Sequence, residues 1–101
     1  MLAEVIGKAA MLEQTAEECM ELGKACLKYA RYIRGENKVY NPLDDIIHGL
    51  HEEIADVLIC IEELGSVDDI SQSYIDTMVL YKKKRMVERM QESERDNAEN
   101  G

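Results

Sequence analysis

A chain of 101 residues with no Phe or Trp and a single Pro is one domain at most, and its wealth of Leu, Ile, Ala, Met, Glu and Lys favours helix over sheet. Its 21 acidic against 12 basic residues leave a net charge of −9, which argues against non-specific binding to nucleic acid or an anionic membrane and suits a protein that gathers cations. No apolar run reaches the length of a membrane span and the N-terminus lacks a signal-peptide pattern, so a cytoplasmic protein is expected.

Residues 2–34 carry one long helical pattern. Ala9, Leu12, Ala16, Cys19, Gly23, Cys26, Ala30 and Ile33 recur three and four apart, a narrow apolar seam. Gly7 and Gly23 each weaken that helix by roughly 1 kcal/mol relative to Ala, and Gly7 is where a fray or kink would fall. Gly35 with Asn37 stops it. After a polar loop, Asn41-Pro42 reads as an N-cap and a first-turn proline, with Asp44 and Asp45 supporting the start of a second helix. This helix is expected to reach Leu64, with its seam at Ile47, Leu50, Ile54, Leu58 and Ile61, and to stop at Gly65. Ser66-Val67-Asp68-Asp69 resembles a capping box. It would open a third helix from about Val67 into the low nineties, with apolar positions at Val67, Ile70, Tyr74, Ile75, Met78, Tyr81, Met86 and Met90.

The expected fold is therefore all-α, an antiparallel bundle of three main helices forming one domain over 1–91. Residues 92–101 are polar and unpatterned, and a disordered tail is expected there. Each helix is apolar on more than a single seam, so oligomerisation is expected to complete the core. Cys19, Cys26 and Cys60 are odd in number and widely spaced; they read as buried free thiols in a reducing compartment, not as a disulfide or zinc framework.

Two short stretches concentrate the chemistry, Glu17-Glu18-Cys19-Met20-Glu21-Leu22 and Glu52-Glu53-Ile54-Ala55-Asp56-Val57-Leu58. Glu18 with Glu21, and Glu53 with Asp56, are carboxylates three apart on one side of a helix. With Cys19 and Ile54 taken as zero on their helices, Glu18 and Glu53 both fall at about −100°, and Glu21 and Asp56 at about −160°. Both pairs thus lie on the same flank of their seams. That flank holds Met11, Leu22, Ala25 and Tyr29 on the first helix, and Ile46, Gly49 and Cys60 on the second. Carboxylates on partly apolar flanks need a compensating charge, and four converging carboxylates offer oxygen ligands to a hard divalent cation. Either pair alone would read as a solvated face, and Thr15 with Glu18 could be a capping box; the matching positions of both pairs favour metal binding.

These residues carry a resemblance. Glu-Glu-x-x-Glu-Leu on a first helix, followed by Glu-Glu-Ile-Ala-Asp-Val-Leu on a second, resembles the MazG-like all-α nucleoside triphosphate pyrophosphohydrolases over roughly residues 10–90. The resemblance implies hydrolysis of a nucleoside or deoxynucleoside triphosphate to the monophosphate and pyrophosphate, with a place in cleaning the nucleotide pool. It implies magnesium, for which manganese could substitute, held by Glu18, Glu21, Glu53 and Asp56, with Glu21 or Glu53 taking the proton of the attacking water. It also implies a homodimer or homotetramer. A non-catalytic MazG-like regulatory or interaction module is the alternative.

Phosphate calls for basic groups as well. Lys82, Arg85 and Arg89 are spaced three and four apart on one face and match basic positions of the family's third helix. A solvated, dipole-favoured helix end is an equal reading of them. Many relatives carry an Asn on this helix, where this chain has Asp76 and Thr77. Tyr29 and Tyr32 could stack on a base but suit packing better. His48 and His51 read as ordinary helix residues, since no Glu-x-x-His motif accompanies them.

Overall fold

A computed structural model of the chain describes residues 2–36 and 43–100. The described residues form four helices and no strand: α1 (Leu2–Ile6), α2 (Lys8–Arg34), α3 (Leu43–Leu64) and α4 (Gln72–Asn100). The all-α expectation holds. The chain divides into two compact units, Met1–Ile70 and Ser71–Gly101.

In the first unit, the long expected helix is divided at Gly7. Its φ of 89° is outside the helical region and is one that L side chains rarely adopt. The chain turns there without losing hydrogen-bond continuity, because Gly7 N–H donates to Ala3 O and Gly7 O accepts from Met11 N–H. α2 then runs for 27 residues of good helix formers and ends at Gly35, which is left-handed at φ 68°. Gly35 N–H donates to Tyr32 O and Glu36 N–H to Arg31 O, the paired bonds of a Schellman stop. The Asn41-Pro42 cap lies outside the described residues.

α2 and α3 pack as an antiparallel pair. Early α2 residue Thr15 meets late α3 residue Cys60, Glu18 approaches Glu53 and Asp56, and Ala25 and Lys28 share a cavity wall with Ile46 and Gly49. The packed faces are not the expected seams. Met11 is wholly buried, and Gln14, Thr15, Glu18, Leu22, Ala25 and Tyr29 follow it half-buried along α2. On α3 the buried residues are Ile46, Val57 and Cys60, with Gly49 and Glu53 half-buried between them. Leu12, Cys19, Cys26 and Ile33 on α2, and Ile54, Leu58 and Ile61 on α3, are exposed, Leu58 by 60%. The two helices meet about a quarter-turn away from their apolar seams, on the flank that carries the carboxylates. Two of the three cysteines expected to be buried are therefore exposed; Cys60 alone is buried.

α1 closes one end of the pair. Ala3, Met11, Cys60 and Val67 form a small core, against which Leu64 and Ile70 pack. Burying a Met11-sized side chain contributes about 1.5–3 kcal/mol. Ala3 N–H donates to Glu63 Oε2 at 3.1 Å, satisfying an end group of α1. Lys8 Nζ pairs with Asp69 and, at 3.3 Å, with Asp68. These two aspartates hold the Lys8 ammonium above its ordinary range.

Those contacts explain why the third long helix starts later than expected. Val67 is buried in the core, Asp68 and Asp69 serve Lys8, and residues 65–70 form successive turns. The cap is Ser71, whose Oγ accepts from Tyr74 N–H at 3.2 Å. α4 then continues to Asn100, through the stretch expected to be a disordered tail. Its sequence there is polar but rich in helix formers, with Glu92 and Arg95 three apart, so absence of apolar patterning did not mean absence of helix.

Candidate metal centre

The antiparallel meeting of α2 and α3 brings three of the four expected ligands together. One carboxylate oxygen each from Glu18, Glu53 and Asp56 lies within 4.8 Å of the other two. Glu18 and Glu53 are half-buried on facing flanks and Asp56 is exposed at the margin. Each helix supplies its carboxylates at a spacing that returns them to the same side, so the cluster follows from local sequence once the packed flank is known.

Glu18 is held by its own helix, since Gln14 Nε2 donates to its Oε1 at 2.9 Å. Glu53 has no such support. Its Oε2 is buried and has no hydrogen-bond partner among the described residues. Burial, and then the negative charges of Asp56, Glu18, Glu21 and Glu52, hold the Glu53 carboxyl above the usual carboxylate range. An unpartnered buried oxygen beside two further carboxylates is a costly arrangement in the absence of positive charge. Three oxygens on one magnesium cannot all be trans to one another, so this group, spread over as much as 4.8 Å, would draw closer around an ion. Donor type and the orphaned oxygen fit a hard divalent cation.

Glu21, the fourth expected ligand, is outside this group. Its Oε1 accepts from Lys24 Nζ at 3.3 Å, and it lines a cavity of about 210 Å³ that Glu53 also borders. Cys60 lies beside the cluster; burial pushes its thiol up, partly offset by a hydrogen bond with Thr15. His48 pairs with Glu52 at 2.8 Å on the exposed side of α3, one turn apart, and takes no part in the cluster. Tyr29 is half-buried in the α2–α3 flank and Tyr32 is exposed.

The expected phosphate-binding residues belong to the other unit. Lys82, Arg85 and Arg89 border one groove on α4 together with Met86, in keeping with their spacing. The Arg85 guanidinium lies 5.7 Å from the centroid of the Tyr81 ring. Sequence reasoning did not single out Gln14, although its place one turn before Glu18 was legible. Lys24 and Lys28, which border a cavity with Glu21 and Glu53, were not among the expected site residues.

Comparison with protein-family models, curated proteins and solved structures found no match to this chain.

Proposed function

We propose that the chain is a magnesium-dependent nucleoside triphosphate pyrophosphohydrolase of the MazG-like kind. The carrying observation is the convergence of Glu18, Glu53 and Asp56 around an oxygen of Glu53 that is buried without a partner. Glu18, Glu53 and Asp56 hold the cation, with Glu21 near enough along α2 to join them through the cavity it shares with Glu53. When bound, magnesium or manganese would neutralise the triphosphate and act as a Lewis acid. Glu21 or Glu53 accepts the proton of a water attacking the α-phosphorus. The bond to the bridging oxygen then breaks, giving the monophosphate and pyrophosphate. Lys82, Arg85 and Arg89 on α4 are proposed as further phosphate contacts.

The assembly is proposed to be a homodimer or homotetramer in the cytoplasm. The apolar seams of α2 and α3 support this, since Leu12, Ile33, Leu58 and Ile61 are exposed. Among the described residues no helix is long and apolar enough to cross a membrane, and the three cysteines are free.

A panel of nucleoside and deoxynucleoside triphosphates with magnesium, assayed for pyrophosphate, tests the proposal. Diphosphate plus inorganic phosphate as products would contradict attack at the α-phosphorus. A wild type that hydrolyses none of the panel, with magnesium or manganese, favours a non-catalytic interaction module. The basic groove and exposed apolar side chains of α4 would then be the surface to test for a partner.

A further inference from the structure

The seam of α2 keeps a strict seven-residue repeat. Ala9, Leu12, Ala16, Cys19, Gly23, Cys26, Ala30 and Ile33 alternate three and four apart without a break. A seam sustained at this period is the pattern of a coiled coil. The chain's own packing does not use it. Every seam residue is exposed except the half-buried Ala30, because α3 lies against the flank through Met11, Thr15, Leu22 and Tyr29.

Two strips border such a seam, and they differ here. Thr15, Leu22 and Tyr29, seven apart, form the strip that α3 already half-buries. Glu13, Met20, Leu27 and Arg34, also seven apart, form the other, and all four are exposed. A parallel partner would set its covered strip against this open one. An antiparallel partner sets open strip against open strip. The four residues then match in order. Glu13 meets Arg34 of the second copy and Met20 meets its Leu27, and both pairings are symmetric about one point, between Gly23 and Lys24. The next strip out repeats the polarity, with Glu17 in the first half of α2 and Lys24 and Arg31 in the second. Arg34 stands 3.8 Å from Glu36 of its own chain, an exposed contact that a second carboxylate can share.

We infer that α2 is the self-association helix, and that a second copy lays its own α2 antiparallel along the seam through Leu12, Cys19, Cys26 and Ile33. Glu13 pairs with the other copy's Arg34 at both ends, and Met20 packs on its Leu27 between them. The inference rests on the self-association proposed above, not on the hydrolysis, and assigns it a helix, a direction and a register. The small residues Ala16, Gly23 and Ala30 let the two helices approach closely. Gly23 has the room for this, since a Cβ built there would meet nothing within 4 Å in the single chain. The matching of charge along the open strip selects the antiparallel arrangement, because opposite ends of α2 carry opposite sign.

The test is a charge swap on the full chain, read by sedimentation equilibrium under reducing conditions, with circular dichroism confirming the helices. Glu13→Arg and Arg34→Glu should each weaken self-association about tenfold, since each sets like charges together at both ends of the pair. The double variant Glu13→Arg/Arg34→Glu should restore it, and so should mixing the two single variants. These differences should shrink in 1 M salt. Met20→Lys should dissociate the assembly without the double variant's rescue. Self-association indifferent to both single reversals, or a double variant no tighter than the singles, would overturn the inference while leaving the assembly itself in place. A monomeric wild type would overturn both.

Discussion

Gln14 Nε2 donates to Glu18 Oε1 at 2.9 Å from one turn earlier on α2, and this bond aims the Glu18 carboxylate at α3. A residue that orients a ligand in this way tunes affinity more than stability. Gln14→Ala should lower the affinity for magnesium or manganese by about tenfold. Isothermal calorimetry would show it, with the metal-free melting temperature little changed.

Glu53 gives the metal-free protein a pH dependence of definite sign. Its folded carboxyl keeps a proton to higher pH than the unfolded one, whose ordinary value is 4.5. Between those two values the folded state binds more protons, so stability falls as pH rises from 4.5 through the raised folded value. Glu53→Gln should flatten that fall and raise the metal-free melting temperature at neutral pH. Magnesium at a hundred times its Kd should add about 2.7 kcal/mol to the wild type. Most of that gain should vanish in Glu53→Gln, as thermal scans with and without metal would reveal.

Asp56 is exposed and contributes little to the core. Asp56→Ala should retain the helical circular dichroism of the wild type. It should nonetheless reduce pyrophosphate release by about a hundredfold or more, because a ligand to the reacting phosphate's counter-charge is lost. Activity that survives this substitution would place the chemistry elsewhere.

Leu58 is a mid-helix leucine on the uncovered seam of α3, 60% exposed. Leu58→Glu should be neutral for the helix and disruptive for an assembly that covers the seam. Sedimentation should find the wild type above 11.5 kDa at micromolar concentration and the variant shifted towards that mass. A monomeric wild type would remove the oligomer from the proposal.

Gly35 ends α2 in the left-handed region, where a Cβ is unwelcome. Gly35→Ala should cost roughly 1 kcal/mol, several degrees of melting temperature for a chain of this size. By contrast, Gly23 is mid-helix with open space around it, and Gly23→Ala should stabilise. The opposite signs of these two glycine substitutions check the positions of the helix end and helix interior together.

Much of this was legible in the residues. Helical periodicity, Gly7, Gly35 and Gly65 located the helices of the first unit closely, because glycine conformational cost and i, i+3, i+4 spacing act locally. The carboxylate positions were legible for the same reason. The packed face was not. A count of apolar residues selects the seam through Leu12 and Cys19, whereas tertiary contact selects the flank through Met11, Glu18 and Leu22. Hydrophobicity identifies faces that leave water, but it does not say which neighbour each face meets. The start of α4 was misread because Val67, Asp68 and Asp69 found partners in Met11's core and in Lys8, more than fifty residues away. A local capping motif carries no information about such contacts. Glu21 lies outside the group of three carboxylates and pairs instead with Lys24, three residues on, at 3.3 Å.

The bond from Ala3 N–H to Glu63 Oε2 joins residues 60 apart in the chain, and the Lys8 pairing with Asp69 spans 61. α1 has five residues, too few to persist as a helix by itself. It therefore has nothing to dock on until α2 and α3 have zipped together, and its closure belongs to the slow, loop-closing end of folding. In hydrogen exchange α1 should open ahead of the α2–α3 pair, before either long helix unravels. α1 is thus the last helix of the first unit to be fastened and the first to come undone.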